Sequence, residues 1–239
     1  MHILPSMVAY PPFAVNRILP PGKRCDTISL FTQKGALNML EQDRLEYENE
    51  DFSGEDFGER ELRRVTFRKC RFGGAVMSDL VTSGCTFERC SFTFAQMGGS
   101  THSGTAFLNC NFEECILFGA LLENCKCTGS SFSGADLTGF AIRGGSYDYT
   151  AFFESDLSGL TLDHISFAHA DLRGCDLHKS SLQECDLSHA LLFGAKLQNS
   201  DLRGALLDGV DFKSAILKNT KIDVTQAILL AESLGCRVG

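Results

Sequence analysis

From Phe52 to Ile222 every fifth residue is Leu, Ile, Met, Phe or Tyr, with Thr82, His102 and Cys127 the exceptions. Hydrophobic residues make up 44% of the chain, so a series this long does not arise by chance. A period of five matches neither the helical 3.6 nor the strand 2.0. It belongs to a repeat architecture, which outranks any local secondary-structure assignment.

Two residues before each large residue sits a small one, as at Ala75, Cys90, Cys110, Ala135, Ala170, Cys185 and Ala205. Leu80, Phe140, Leu160 and Ile165 break this rule. Two residues after the large one, glycine is frequent, which suits a corner with positive φ or close backbone approach. A second period of twenty is superposed: residues 66–72 read TFRKCRF, 86–92 TFERCSF and 106–112 AFLNCNF. Four pentapeptides therefore make one coil with four sides. The large residues point inward, and successive coils pair at the β spacing of about 4.8 Å.

Units such as Ala135-Asp136-Leu137-Thr138-Gly139 and Ala170-Asp171-Leu172-Arg173-Gly174 resemble the A(D/N)LXX motif of pentapeptide-repeat proteins. The resemblance implies an all-β solenoid, a right-handed quadrilateral β-helix, here followed by a short C-terminal α-helix. The expected organisation is a non-repeat segment over 1–46, the β-helix over 47–222, and a capping and dimerisation helix within 223–239. All five prolines precede residue 22. The first 40 or so residues are thus expected to be disordered or laid along the first coil, with Met39 as an alternative start.

The eleven cysteines mostly hold the small inward position. Spacings of five and twenty do not converge like zinc ligands, so core packing is the expected role, with no metal, disulfide or cofactor. Many free thiols suit a reducing, cytoplasmic setting. The net charge of −8 argues against direct nucleic-acid binding. No apolar run reaches the length of a membrane span, and no basic segment precedes the proline-interrupted N-terminus as in an export signal.

Asp223-Val224-Thr225-Gln226 predicts a helix start with Asp223 or Thr225 as N-cap. Ile228, Leu230 and Leu234 supply an apolar face, and Gly235 ends it. The stretch Gln226 to Gly235 is similar to the C-terminus of the Qnr- and MfpA-type group. That resemblance implies a DNA-mimicking homodimer that binds DNA gyrase, and by extension topoisomerase IV. Such a protein protects the enzyme from quinolones or from peptide toxins such as albicidin or microcin. The alternative is a non-catalytic interaction scaffold of regulatory or effector type.

Candidate partner contacts are Asp136, Asp156 and Asp176, twenty apart on one wall, with Asp171, Asp186 and Asp201 on others. His102 is added at a break in the apolar series. Residues 96–106 look unlike a packed rung and are the expected place for a loop. No nucleophile–base pairing, phosphate loop or inward carboxylate pair is present, so no enzyme activity is expected.

Overall fold

The computed structural model describes residues 45–239. The chain climbs in coils of twenty residues that pair in parallel, residue to equivalent residue one coil on, everywhere but at one opening. The register runs from Glu46↔Thr66 to Asp201↔Lys221. Most rungs are single bridges. Longer pairing forms nine short strands: β1 Glu46–Glu48, β2 Glu61–Arg63, β3 Thr66–Arg68, β4 Val81–Ser83, β5 Thr86–Glu88, β6 Thr101–Ser103, β7 Ala106–Leu108, β8 Leu121–Lys126 and β9 Ala141–Ser146. Four faces result, carrying inward columns that start at Tyr47, Phe52, Phe57 and Leu62.

The inward residues stack on their equivalents. On the second face Phe72, Phe92, Phe112, Phe132 and Phe152 lie parallel, with successive ring centroids 5.0, 4.8, 4.5 and 5.0 Å apart. Neighbouring columns meet edge to face, as Phe67 and Phe72 do at 5.3 Å. Both geometries suit the aromatic quadrupole. Toward the C-terminus leucines such as Leu177, Leu187 and Leu197 take over, all buried.

The small corner residue has a second role beside its size. Cys90, Cys110 and Cys125 each donate a thiol hydrogen bond to the carbonyl of an inward residue in the previous coil: Phe67, Phe87 and His102, at 3.4, 3.3 and 3.2 Å. The hydroxyls of Ser130 and Thr150 do the same toward Phe107 and Cys127, at 2.8 and 2.9 Å. Burial pushes the Cys115 thiol up to about 12, so that sulfur stays protonated and unreactive.

One place is expected to depart from uniformity and does not; another does. The first contradicts an expectation: residues 96–106 form no loop. Gln96 bridges Val76 and Ile116, and β6 pairs with β4 and β8 through Thr82↔His102↔Leu122. The glycines there occupy ordinary corners, with Gly99 and Gly104 at φ +68° and +55°.

The second is an opening. Between the coil at 135–144 and the next, the third and fourth faces lose their ladder. One coil earlier Leu117 N–H donates to Asp136, Gly119 to Thr138 and Asp136 to Cys115. One coil later Leu157 donates to Asp176, Leu162 to Ser181 and Ser181 to Leu160. Among the described residues no such bond joins Leu137 or Gly139 to Asp156 or Ser158, or Ile142 or Gly144 to Thr161 or Asp163. The first and second faces stay paired across this level, through Cys127 N–H to Ser146 and Phe132 N–H to Ala151.

The cause lies at one corner. Its column reads Ser100, Ala120, Phe140, Leu160, Ser180, Ser200, so two oversized side chains fall in succession where small ones stack. At the next corner Gly145 precedes the equally oversized Ile165. A Cβ on Gly145 would lie 2.2 Å from the Cys125 carbonyl, and its φ is +101°. Small beneath large closes that corner, whereas large beneath large holds the other open.

The chain ends in α1, Val224–Ser233. Of the two expected N-caps, Asp223 takes the position, and it forms a capping box with Gln226. Gln226 is buried and donates to the carbonyls of Leu202 and Ala205, tying the helix onto the last coils. Gly235 follows at φ +88°.

Of the described thiols only Cys236 is exposed. Brief alkylation of the native protein, mapped by mass spectrometry, should modify Cys236 and spare Cys110 and Cys175 until denaturant is added. Rapid native modification of either buried thiol would contradict the packing.

Candidate functional site

The Asp residue that precedes an inward residue is held by its own chain. Asp136, Asp156, Asp171, Asp176, Asp186 and Asp201 each accept from the backbone N–H two residues on. This is an Asx-type turn. It explains why the position selects Asp and fixes each carboxylate's orientation.

Their charges are not equally available. Arg173 forms a bidentate pair with Asp171 and holds its carboxyl below the usual range. Arg203 does the same for Asp201, with Lys221 at 3.7 Å. Asp201 is also nearly buried, at 9% exposure, so it offers little to a partner. Burial opposes ionisation of Asp176, yet His178 and Lys196 hold its carboxyl below the usual range. Among the described residues Asp136, Asp156 and Asp186 have no ion-pair partner within 4 Å.

The expected ladder of Asp136, Asp156 and Asp176 lies on the third face but is interrupted. Asp156 bridges Asp176 directly, whereas Asp136 bridges only Ile116. The opening separates Asp136 from Asp156. Asp56, Asp79, Glu55 and Glu59 extend the acidity toward the N-terminal end, and Lys179, Lys196 and Lys218 collect at the other. The fourth face is mixed, with Arg63, Arg143 and Arg203 set against Glu61, Asp163 and Glu184. Acidity is therefore a property of particular faces.

His102 is not a partner contact. It is fully buried, edge-on to Phe107 at 5.2 Å. Its Nδ1 lies 2.7 Å from Thr82 Oγ1 and its Nε2 3.0 Å from Ser100 Oγ. Ser100 spends its proton on the Met97 carbonyl, so Nε2–H donates to Ser100 and Nδ1 accepts from Thr82. Thr105 Oγ1, 2.8 Å from Thr82 Oγ1, completes the chain as donor. Two of the three breaks in the apolar series, Thr82 and His102, thus satisfy each other across adjacent coils.

Several exposed apolar residues escaped the sequence reading. Phe94, Phe118, Tyr149, Phe153 and Phe193 point outward, with Phe193 70% exposed. Their signal was present, since each is a large apolar residue off the fivefold register. On the second face Arg173 sits over the Phe153 ring at 5.6 Å, with Phe193 next along the same column. Of the helix candidates, Ile228 and Leu234 are exposed, whereas Leu230 packs against the core. No cluster of metal-binding side chains occurs among the described residues, and no helix there is long and apolar enough to cross a membrane.

The family model described as Pentapeptide repeats matches in eight copies, over residues 115–139, 152–188 and 185–223. No curated protein matches the chain. A trypsin-treated form of QnrB1, a plasmid-mediated fluoroquinolone resistance protein, is 24% identical with a TM-score of 0.71, covering 82% of this chain and 98% of that one. A second trypsin-treated form is 22% identical at a TM-score of 0.52, with the same coverage. HetL from Nostoc sp. strain PCC 7120, a pentapeptide-repeat protein involved in heterocyst differentiation regulation, is 23% identical at 0.41, covering 74% and 84%. For the two QnrB1 structures the likeness is one of fold.

Burial lowers the His102 pKa to about 3, from an ordinary value near ~6.5. The unfolded chain takes up this proton as pH falls below ~6.5 and the folded chain does not. The stability is therefore complete above that pH and lost toward pH 3, at up to ~1.4 kcal/mol per unit. Urea denaturation of His102→Gln should show a shallower stability loss than wild type between pH 6.5 and 4.5. Equal slopes would contradict the buried neutral imidazole.

Proposed function

We propose, from the premise that the chain is a pentapeptide-repeat protein, that it is a non-catalytic protein that docks into the basic DNA-holding groove of DNA gyrase. In doing so it protects the enzyme from topoisomerase poisons, whether quinolones or peptide toxins. The observation that carries this reading is the set of exposed carboxylates on one long face that have no ion-pair partner among the described residues, Asp136 and Asp156 above all. Each is fixed by its own Asx turn, so a binding partner need not order it. A rigid surface with carboxylates at fixed β intervals presents to a basic groove the kind of charge that a phosphate backbone presents. The fold of QnrB1, a fluoroquinolone resistance protein, supports the same reading.

The helix supplies the second element. Val224, Ile228, Leu234 and Val238 are all exposed at one end of the rod. A twofold contact between two such ends buries the same patch on both chains and doubles the length of the acidic surface. The scaffold alternative draws on the exposed Phe153 and Phe193 of the second face, where large apolar residues point to a protein contact.

Purified protein should restore gyrase supercoiling in the presence of a fluoroquinolone or a peptide poison at near-stoichiometric ratio. Asp136→Asn with Asp156→Asn should raise the protein needed by about tenfold or more, at unchanged thermal stability. Wild-type rescue that is insensitive to the double variant would reject the third face as the contact. Light scattering should give a dimer for the native chain and a monomer for Ile228→Glu with Leu234→Glu. A variant that remains dimeric would place the interface elsewhere.

A further inference from the structure

On its fourth-face side the opening between the coils at 135–144 and 155–164 widens into a cavity of about 410 Å³, lined by Ile142, Arg143, Gly144, Leu160, Thr161 and Asp163 among others. That volume lies within the ~300–1,000 Å³ typical of ligand sites. Its two walls are β-edges. By the register of the adjacent coils, the N–H groups of Leu137, Gly139, Ile142 and Gly144 face across from one side. The carbonyls of Asp156, Ser158, Thr161 and Asp163 face them from the other. An unpaired edge with alternating donors and acceptors is a template for an added strand.

We propose that this opening receives an extended, lysine- or arginine-bearing peptide segment of a partner protein, which pairs with the free edges by its main chain. The charge of the rim selects the cation. Asp136 and Asp156 flank the opening on the third face without ion-pair partners among the described residues. Asp163 stands on the fourth-face side, where its carboxylate already accepts from Ser181 and from the Gln183 N–H. Arg143 is the cation among the lining residues. The net rim is acidic, and alternate side chains of an inserted strand point outward toward it. The opening is built into the sequence by the Phe140–Leu160 succession. It does not depend on the gyrase reading, because it requires only a peptide and the edges.

The test is hydrogen exchange resolved to single amides in the full chain. In the free protein the Leu137, Gly139, Ile142 and Gly144 amides should exchange at least tenfold faster than Leu117, Gly119, Leu157 and Leu162. An acetylated and amidated Lys-Val-Lys-Val-Lys peptide should slow them about tenfold or more at saturation. The same peptide with its valines replaced by proline, which removes donors, should protect them much less. So should Glu-Val-Glu-Val-Glu. Slow exchange in the free protein, no protection at millimolar peptide, or equal protection by the acidic peptide would each overturn the proposal. Phe140→Ser with Leu160→Ser should close the ladder, slow these amides without peptide and abolish binding. Should that variant not fold, the wild-type peptide series decides alone.

Discussion

The whole rod depends on one backbone event repeated every five residues, a corner turned in the left-handed region. It falls two residues after each inward side chain, at Gly74, Gly119, Gly139 and Gly174, but also at Glu59, Lys69, Phe94 and His169. An L-residue in this conformation costs roughly 1–2 kcal/mol. The N–H at the corner then donates to the next coil, as Lys69 does to Glu88 at 2.8 Å and His169 to Ser188 at 2.8 Å. The ladder and the stacked core offset the strain cooperatively, since each coil is stabilised by its neighbours. This is also why the opening is confined. The coils at 135–144 and 155–164 part over two faces but remain joined by the other two.

Much of this was legible in the sequence, for a plain reason. A four-sided coil reads each position against a fixed direction, so the inward series, the small corners and the thiols all follow from residue number alone. The helix start was legible from Asp223 and Thr225 as cap residues before an apolar run, and the capping box with Gln226 settles it on Asp223. What misled was the reading of irregular composition as irregular structure. Residues 96–106 lack bulk, yet Thr82, Ser100, His102 and Thr105 fill their rung with hydrogen bonds in place of hydrocarbon. For the same reason His102 lies inside and not on the contact surface.

The candidate surface was less legible than the fold. The Asp positions are visible in the motif, but which of them retain free charge depends on neighbours two or twenty residues away. Arg173 neutralises Asp171, and Lys196 reaches Asp176, whereas Asp136 and Asp156 have no ion-pair partner among the described residues. The off-register aromatics Phe153 and Phe193 needed the register as a reference before they stood out. The opening needed one step more. Phe140 and Leu160 are visible as separate exceptions to the small-residue rule, and only the twenty-residue column sets one above the other.

The proposed docking makes a claim about direction, namely that the rod meets its partner through its acidic third face and its helical end. A hydrogen-exchange or cross-linking footprint of the chain bound to gyrase tests this most directly. Contacts should run along the third face through Asp136 and Asp156, and the mixed fourth face around Arg63 and Glu184 should stay unchanged. A footprint centred on the fourth face, or no complex at low ionic strength where such an electrostatic contact is strongest, would contradict the account.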